Sequence, residues 1–364
     1  MVNNQLLELI QLSLGVRNSL SPLSPEEWQK LYKTARLHAV AGVCWAGIQR
    51  LPQEQKPPRD LYLQWLGIAA KTQRKNELMD KRSAIVWQKL RESGLVAAIL
   101  KGQGMAWEYG HTESKDNGID LGTLRQSGDI DVWVLGGYDK VCGFVQRVAP
   151  TTDVAYHRFH LKVFSDTEVE LHHRPTLMRN LFDDRKLEKW YNSFGADSFI
   201  YLKEKGFSVP PPEFNRIFIL THIYRHFLFE GIGLRQVMDY YFVLKGHSER
   251  TEDTAMLLKH FRLKRFAEAI MWILHTQFGL QEKYLICGMN EKEGKFVMNE
   301  ILTMGNFGRA DQRYRYKHLR KIRHRIAHGS HLLIHYPSEV LWTPIWLGYH
   351  HYWKKARKRE ILKM

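Results

Sequence analysis

The chain has 364 residues and a formal net charge of +16, and it is 44% hydrophobic and 12% aromatic. That composition excludes an intrinsically disordered chain and is enough for about two domains with a substantial core. Its three cysteines, Cys44, Cys142 and Cys287, lie far apart, which argues against a disulfide framework or a zinc site and fits a reducing cytoplasm.

Residues 1–94 read as an N-terminal helical region. Met1 to Leu14 is polar and then amphipathic, without the basic-then-apolar layout of a secretion signal. No run reaches the roughly 20 apolar residues that span a bilayer, and a cytoplasmic location is expected. Ser24-Pro25-Glu26-Glu27 has the form of a capping box with proline at the first helical position. After Pro57-Pro58, a helix is predicted from Asp60 to Ser93, ended by Gly94.

Residues 95–209 read as an α/β core. Strands are predicted at Val96–Leu100, Ile130–Leu135, Tyr156–Phe164 and Glu168–His172, with a crossover helix at Tyr138–Val148. The stretch from His111 to Ser127 reads as a surface loop. Pro210-Pro211-Pro212 introduces a C-terminal helical domain, residues 210–364. Helices are predicted there at Glu213–Phe229, Leu234–Lys245, Thr254–Phe278, Lys292–Met304 and Gln312–Ala327, with a last one after Pro337.

The chemistry concentrates in Gly128-Asp129-Ile130-Asp131-Val132-Trp133-Val134. Residues two apart on a strand share a face, so Asp129 and Asp131 are expected side by side while Ile130, Val132 and Val134 face a core. Adjacent like charges are costly unless a cation lies between them, and a divalent metal is the usual remedy. Upstream, the apolar run ending at Leu100 feeds Lys101-Gly102-Gln103, a turn in which glycine lets backbone amides approach an anion. Downstream, Glu168, Glu170 and His172 alternate onto one face, so a neighbouring strand can supply a third carboxylate. Together these residues point to phosphoryl or nucleotidyl transfer.

The ordered set Leu100-Lys101-Gly102, Arg125-x-x-Gly128-Asp129-Ile130-Asp131 and Glu170-Leu171-His172 resembles the nucleotidyltransferase superfamily of the DNA polymerase β type. More closely, it is similar to an uncharacterised bacterial nucleotidyltransferase family that carries Leu-Lys-Gly and Arg-x-x-Gly-Asp-Ile-Asp. Gly231-Ile232-Gly233-Leu234-Arg235-Gln236, preceded by His222 and His226, looks like that family's helical half. The motifs lie between about residues 95 and 245. The resemblance implies an α+β fold, a small mixed β-sheet nucleotidyltransferase core flanked by the two helical regions. It also implies a site in which Asp129, Asp131 and Glu170 hold Mg²⁺ (or Mn²⁺), with an NTP such as ATP as substrate. Lys101, Gly102, Gln103, Gly128 and His172 are then expected beside the nucleotide; His172 and His173 either touch phosphate or cap the strand, and His172 shares the face of Glu170. Arg125 either bridges the carboxylates structurally or binds the triphosphate. The wider superfamily carries Gly-Ser after its first strand, where this chain has Lys101-Gly102-Gln103.

Other features have two readings each. The cationic excess fits polyanionic partners or a basic solubilising surface. Its densest part, Arg313, Arg315, Lys317, Arg320, Lys321, Arg323 and Arg325, with tyrosine and histidine between, is compatible with nucleic acid or with a solvated helix face. The alternative function that follows is a catalytically inactive nucleotidyltransferase-fold module that binds RNA or another polyanion through its basic C-terminal half. His222 and His226 have the i, i+4 spacing of metal ligands but lack a third partner, so packing or a pocket wall is expected. Arg235 and Asp239 are expected to pair along a helix. The aromatic run Trp342 to Trp353, followed by Lys354, Lys355, Arg357, Lys358 and Arg359, is compatible with an anionic membrane surface, and packing on the helical body is expected.

Overall fold

The computed structural model describes residues 2–111, 119–151, 153–246, 252–309 and 331–362. Four helices come first: α1 (Val2–Ser13), α2 (Pro25–Leu37), α3 (Ala41–Arg50) and α4 (Arg59–Glu92). The next stretch runs β1 (Ala97–Ile99), α5 (Gln103–His111), α6 (Leu121–Leu124), β2 (Ile130–Val134), α7 (Gly137–Val148), β3 (Arg158–Leu161) and β4 (Val169–His172). It continues with α8 (Leu181–Tyr191), β5 (Ile200–Leu202) and β6 (Phe207–Val209). Helices α9 (Pro212–Phe229), α10 (Leu234–Lys245), α11 (Glu252–His260), α12 (Lys264–Phe278), α13 (Glu291–Met304) and α14 (Pro337–Ile361) follow.

This is the expected α+β class. The main sheet has the order β1-β2-β4-β3, parallel between β2 and β4 and antiparallel at both edges, and β5 and β6 form a separate hairpin. The helix expected at Thr254–Phe278 is two helices. Arg262 adopts φ +57° in the left-handed region, which stops α11 before α12 begins. Within the expected loop, α6 forms because the Asp120 side chain caps it at Gly122 N. The helix expected at Gln312–Ala327, with the cationic run it contains, lies outside the described residues.

The chain gathers into two compact units, each built from several segments. Unit one holds residues 1–78, 105–127 and 229–313, and unit two holds residues 79–104, 128–228 and 314–364. The long helix α4 contributes residues to both.

In unit one, α2 starts as the capping box predicts: Glu27 N donates to Ser24 Oγ (3.2 Å) and Ser24 N to Glu27 Oε2 (2.8 Å). The helix then buries Trp28, Leu31, Tyr32 and Ala35, the i, i+3, i+4, i+7 stripe of an amphipathic helix. Three contacts fix the segment before Asp129. Asn76 Nδ2 donates to the carbonyls of Thr123 (2.7 Å) and Arg125 (2.8 Å), and α3 lies so close that a Cβ on Gly42 would sit 2.3 Å from Leu124 O. Backbone cannot yield as a flexible side chain does, so Gly42→Ala is expected to destabilise by about 1–3 kcal/mol. The measurement is the urea midpoint, which should fall at constant m-value.

In unit two, the sheet separates two kinds of face. Val132, Val134, Phe159 and Leu171 are fully buried on one side, where α7 lies along β3 and the Tyr138 ring stands 5.3 Å from that of Phe159. Asp131, Trp133, Glu170 and His172 occupy the other. There Trp133 stacks on Phe214 of α9 at 4.9 Å, an apolar contact beside the polar residues of that face.

Helix α14 packs its aromatic run on the α/β part rather than on the expected helical body: Trp346 and Trp353 contact Tyr156, beside β3, at 6.2 Å and 5.3 Å. Its first turn carries Glu339, 2% exposed, which accepts from Arg179 N (2.7 Å) and Asn180 N (3.1 Å). Burial outweighs those hydrogen bonds and raises the carboxyl to about 7. The folded chain therefore holds a proton that the unfolded chain releases near 4.5. Stability from this group is complete below about 4.5 and declines as pH climbs to about 7, by up to about 3 kcal/mol at 1.36 kcal/mol per unit. Thermal unfolding from pH 4.5 to 7.5 should show that slope, reduced in Glu339→Gln; an equal slope in both would dismiss the assignment.

Candidate active site

The pairing register brings the site together. Asp131 of β2 lies opposite Glu170 of β4, and in β3 His160 lies opposite Glu170 and Arg158 opposite His172. Because paired residues share a face, two carboxylates, two histidines and an arginine converge on one side of the sheet. The backbone amide of Leu100 donates to Asp131 O at 2.9 Å, which delivers Lys101 to the same place. Gly102 turns the chain there with φ +66°, a conformation that glycine adopts without cost.

Ligand-capable atoms of Asp131, Glu170 and His172, all buried, lie within 4.8 Å of one another; no other such group occurs among the described residues. Lys101 Nζ sits 3.0 Å and His172 Nε2 2.9 Å from Asp131 Oδ1. His172 Nε2 is also 3.4 Å from Glu170 Oε2, which Arg158 Nη1 approaches at 2.7 Å. His160 Nδ1 stands 3.8 Å from Glu170 Oε1. Asp131 Oδ2 is buried with no hydrogen-bond partner.

The electrostatics follow from these distances. Burial raises the Glu170 carboxyl, but the His172 hydrogen bond and the charges of His172, Arg158 and Lys101 prevail and bring it to about 2. Burial disfavours charge on His172 and Lys101 as well. The carboxylates overcome it, so both groups are held above their usual values.

The expected residues do not all meet here. Asp129 precedes β2, is half-buried and lies outside the group, although its charge acts on Lys101. Glu168 is exposed and Glu170 buried, so Glu170 is the acid of that strand that enters. His173 points to the opposite face, packed on Phe159 and Tyr138, and burial lowers it to about 3. The Gln103 side chain donates to Asp80 and helps fix the turn. Gly128 is exposed just before the aspartates.

Arg125 belongs to unit one, where it makes a buried bidentate pair with Asp239: Nε to Oδ1 at 2.6 Å and Nη2 to Oδ2 at 2.8 Å. Tyr109 Oη adds a bond of 2.8 Å to the same carboxylate. Asp239 is thus the anchor for Arg125. His222 and His226 are outside the three-residue group, and Arg225 Nη2 donates to His226 Nε2 at 3.0 Å. Arg158 and His160 were not anticipated. Their signal was the alternation of polar side chains in the strand beside Glu170, which places both on its face.

A mixed sheet with buried acids on two parallel neighbours, beside a Lys-Gly turn, defines a compact acid-and-cation centre suited to anionic substrates. The chain belongs to an uncharacterised nucleotidyltransferase family, which matches residues 24–279 and so includes every residue of the centre. No curated protein and no solved structure matches it. No helix among the described residues is long and apolar enough to cross a membrane.

Proposed function

We propose that the protein transfers a nucleoside monophosphate from an NTP to an acceptor hydroxyl and releases pyrophosphate. The observation that carries this reading is Asp131 Oδ2, a buried oxygen without a partner in a cluster of ligand-capable side chains. Oxygen donors suit Mg²⁺ or Mn²⁺, and Asp131, Glu170 and Asp129 are the residues that would hold it. A bound divalent ion supplies charge stabilisation on the transferring phosphoryl group.

The chain's own groups account for the rest. Lys101 offers an ammonium to phosphate oxygens from a turn whose conformation Gly102 permits and whose position the Gln103–Asp80 bond secures. It stands in for the Gly-Ser of the wider superfamily. His172 keeps its proton at Nε2 between Asp131 and Glu170, which fixes both carboxylates in orientation. Glu170, being strongly acidic, orients an acceptor hydroxyl rather than taking its proton. The acceptor oxygen forms a bond to the α-phosphorus, the bond to the β-phosphate oxygen breaks, and pyrophosphate leaves with the electron pair. The acceptor's proton passes to solvent.

One observation favours the inactive, polyanion-binding alternative: Arg158 already compensates Glu170 at 2.7 Å. The test is Mg²⁺-dependent release of pyrophosphate, or transfer of label from α-labelled NTPs to protein, RNA or small acceptors. Turnover supports the enzyme. Salt-sensitive RNA retention without turnover supports the module.

A further inference from the structure

Unit one contains a cleft that the proposed reaction does not use. Its volume is about 620 Å³, within the range of small-molecule sites. Five cations line it, from three parts of the chain: Lys33 and Arg36 of α2, Lys71 and Lys75 of α4, and Arg309 beyond α13. No acidic residue lines it among the described residues. None of the five makes an ion pair with a described carboxylate, in contrast with Lys101 and Arg158.

The spacing is what a converging site needs. Lys33 and Arg36 are i, i+3 on one helix and Lys71 and Lys75 are i, i+4 on another, so each pair shares a helix face, and both pairs meet in one concavity. Like charges gathered this way repel one another, and an anion relieves the repulsion. Lys75 Nζ is 3.4 Å from the carbonyl of Ser127. Ser127 itself lines the cleft, 4% exposed, and its hydroxyl has no hydrogen-bond partner.

The remaining wall limits the ligand. Leu37, Ala41 and Ile68 contribute apolar surface, and no aromatic ring lines the cleft among the described residues, so it has no platform on which a nucleic-acid base could stack. Lysine and arginine around one concavity suit phosphate groups clustered in a small ligand.

We infer that this cleft is a binding site for a small ligand bearing clustered phosphates, separate from the Asp131 centre and independent of whether that centre is catalytic. The probe is tripolyphosphate in EDTA, titrated calorimetrically into the full-length protein. One-to-one binding is expected, weakening as salt rises. It should fall by about tenfold or more in the Lys71→Ala/Lys75→Ala variant, the scale for losing two charge-assisted contacts. Lys71 and Lys75 are exposed helix positions, so the variant should keep the parent's circular dichroism, and Lys33→Ala gives a second, independent reading. Binding should persist in Lys101→Ala. Loss in Lys101→Ala with retention in the lysine pair would transfer the site to the Asp131 centre and overturn the inference, as would no binding at all. A single-stranded RNA decamer that binds through Lys71 and Lys75 where tripolyphosphate does not would replace the small ligand with nucleic acid.

Discussion

Asp131→Asn is expected to lower nucleotidyl transfer by about 10³-fold, the scale for removing one preorganised group that acts on transition-state charge. Asp131 is the point at which the centre joins: Oδ1 receives Lys101 and His172, and Oδ2 is unclaimed. Asparagine preserves the shape and one acceptor oxygen but removes the charge that a divalent ion would require and that helps hold Lys101 and His172 above their usual values. Asp129→Asn should cost less, about 10–100-fold, as for a supporting group around a metal site, because Asp129 is half-buried and outside the group. The measurement is steady-state pyrophosphate release at saturating Mg²⁺, with circular dichroism as the folding control. Equal losses in the two variants would mean that the adjacent aspartates work as the pair their spacing first implied. Undiminished turnover in Asp131→Asn would remove the proposed reaction altogether.

The centre was legible in part because strand periodicity is a strong constraint. Once Val132 and Val134 are assigned to the core, the opposite face of β2 must carry Asp131, and a buried Glu170 on the adjacent strand has little choice but to join it. What local pattern could not supply was the sheet order. Arg158 and His160 become site neighbours only when β3 pairs antiparallel with β4, an outcome decided by long-range packing. Asp129 shows the opposite difficulty, since its alternation with Asp131 continues past the point where strand pairing starts. The α+β class was readable from strands set among helical stretches. Helix α6 was not, because a four-residue helix held by one capping aspartate leaves almost no periodic signal. Nor did spacing along α10 identify Asp239 as the partner of a residue 114 positions earlier.

That pair carries the second large expectation. Arg125→Ala should destabilise the protein by about 3–5 kcal/mol, because it leaves Asp239 as an uncompensated buried charge. Arg125 and Asp239 are 3% and 6% exposed, and the Tyr109 hydroxyl that shares the carboxylate is fully buried. Water cannot readily take the arginine's place. Replacing the set together, as Arg125→Met, Asp239→Leu and Tyr109→Phe, should recover most of the loss, since the desolvation cost disappears along with the ion pair. Removing only the carboxylate would strand the guanidinium instead. Urea unfolding of the single and triple variants measures both effects. The alternative role for Arg125, a contact to the triphosphate, makes a different forecast: near-normal stability in Arg125→Ala with a raised KM for NTP. The two forecasts separate cleanly, because the same guanidinium cannot be fully engaged by Asp239 and also be lost to the nucleotide without a change in KM.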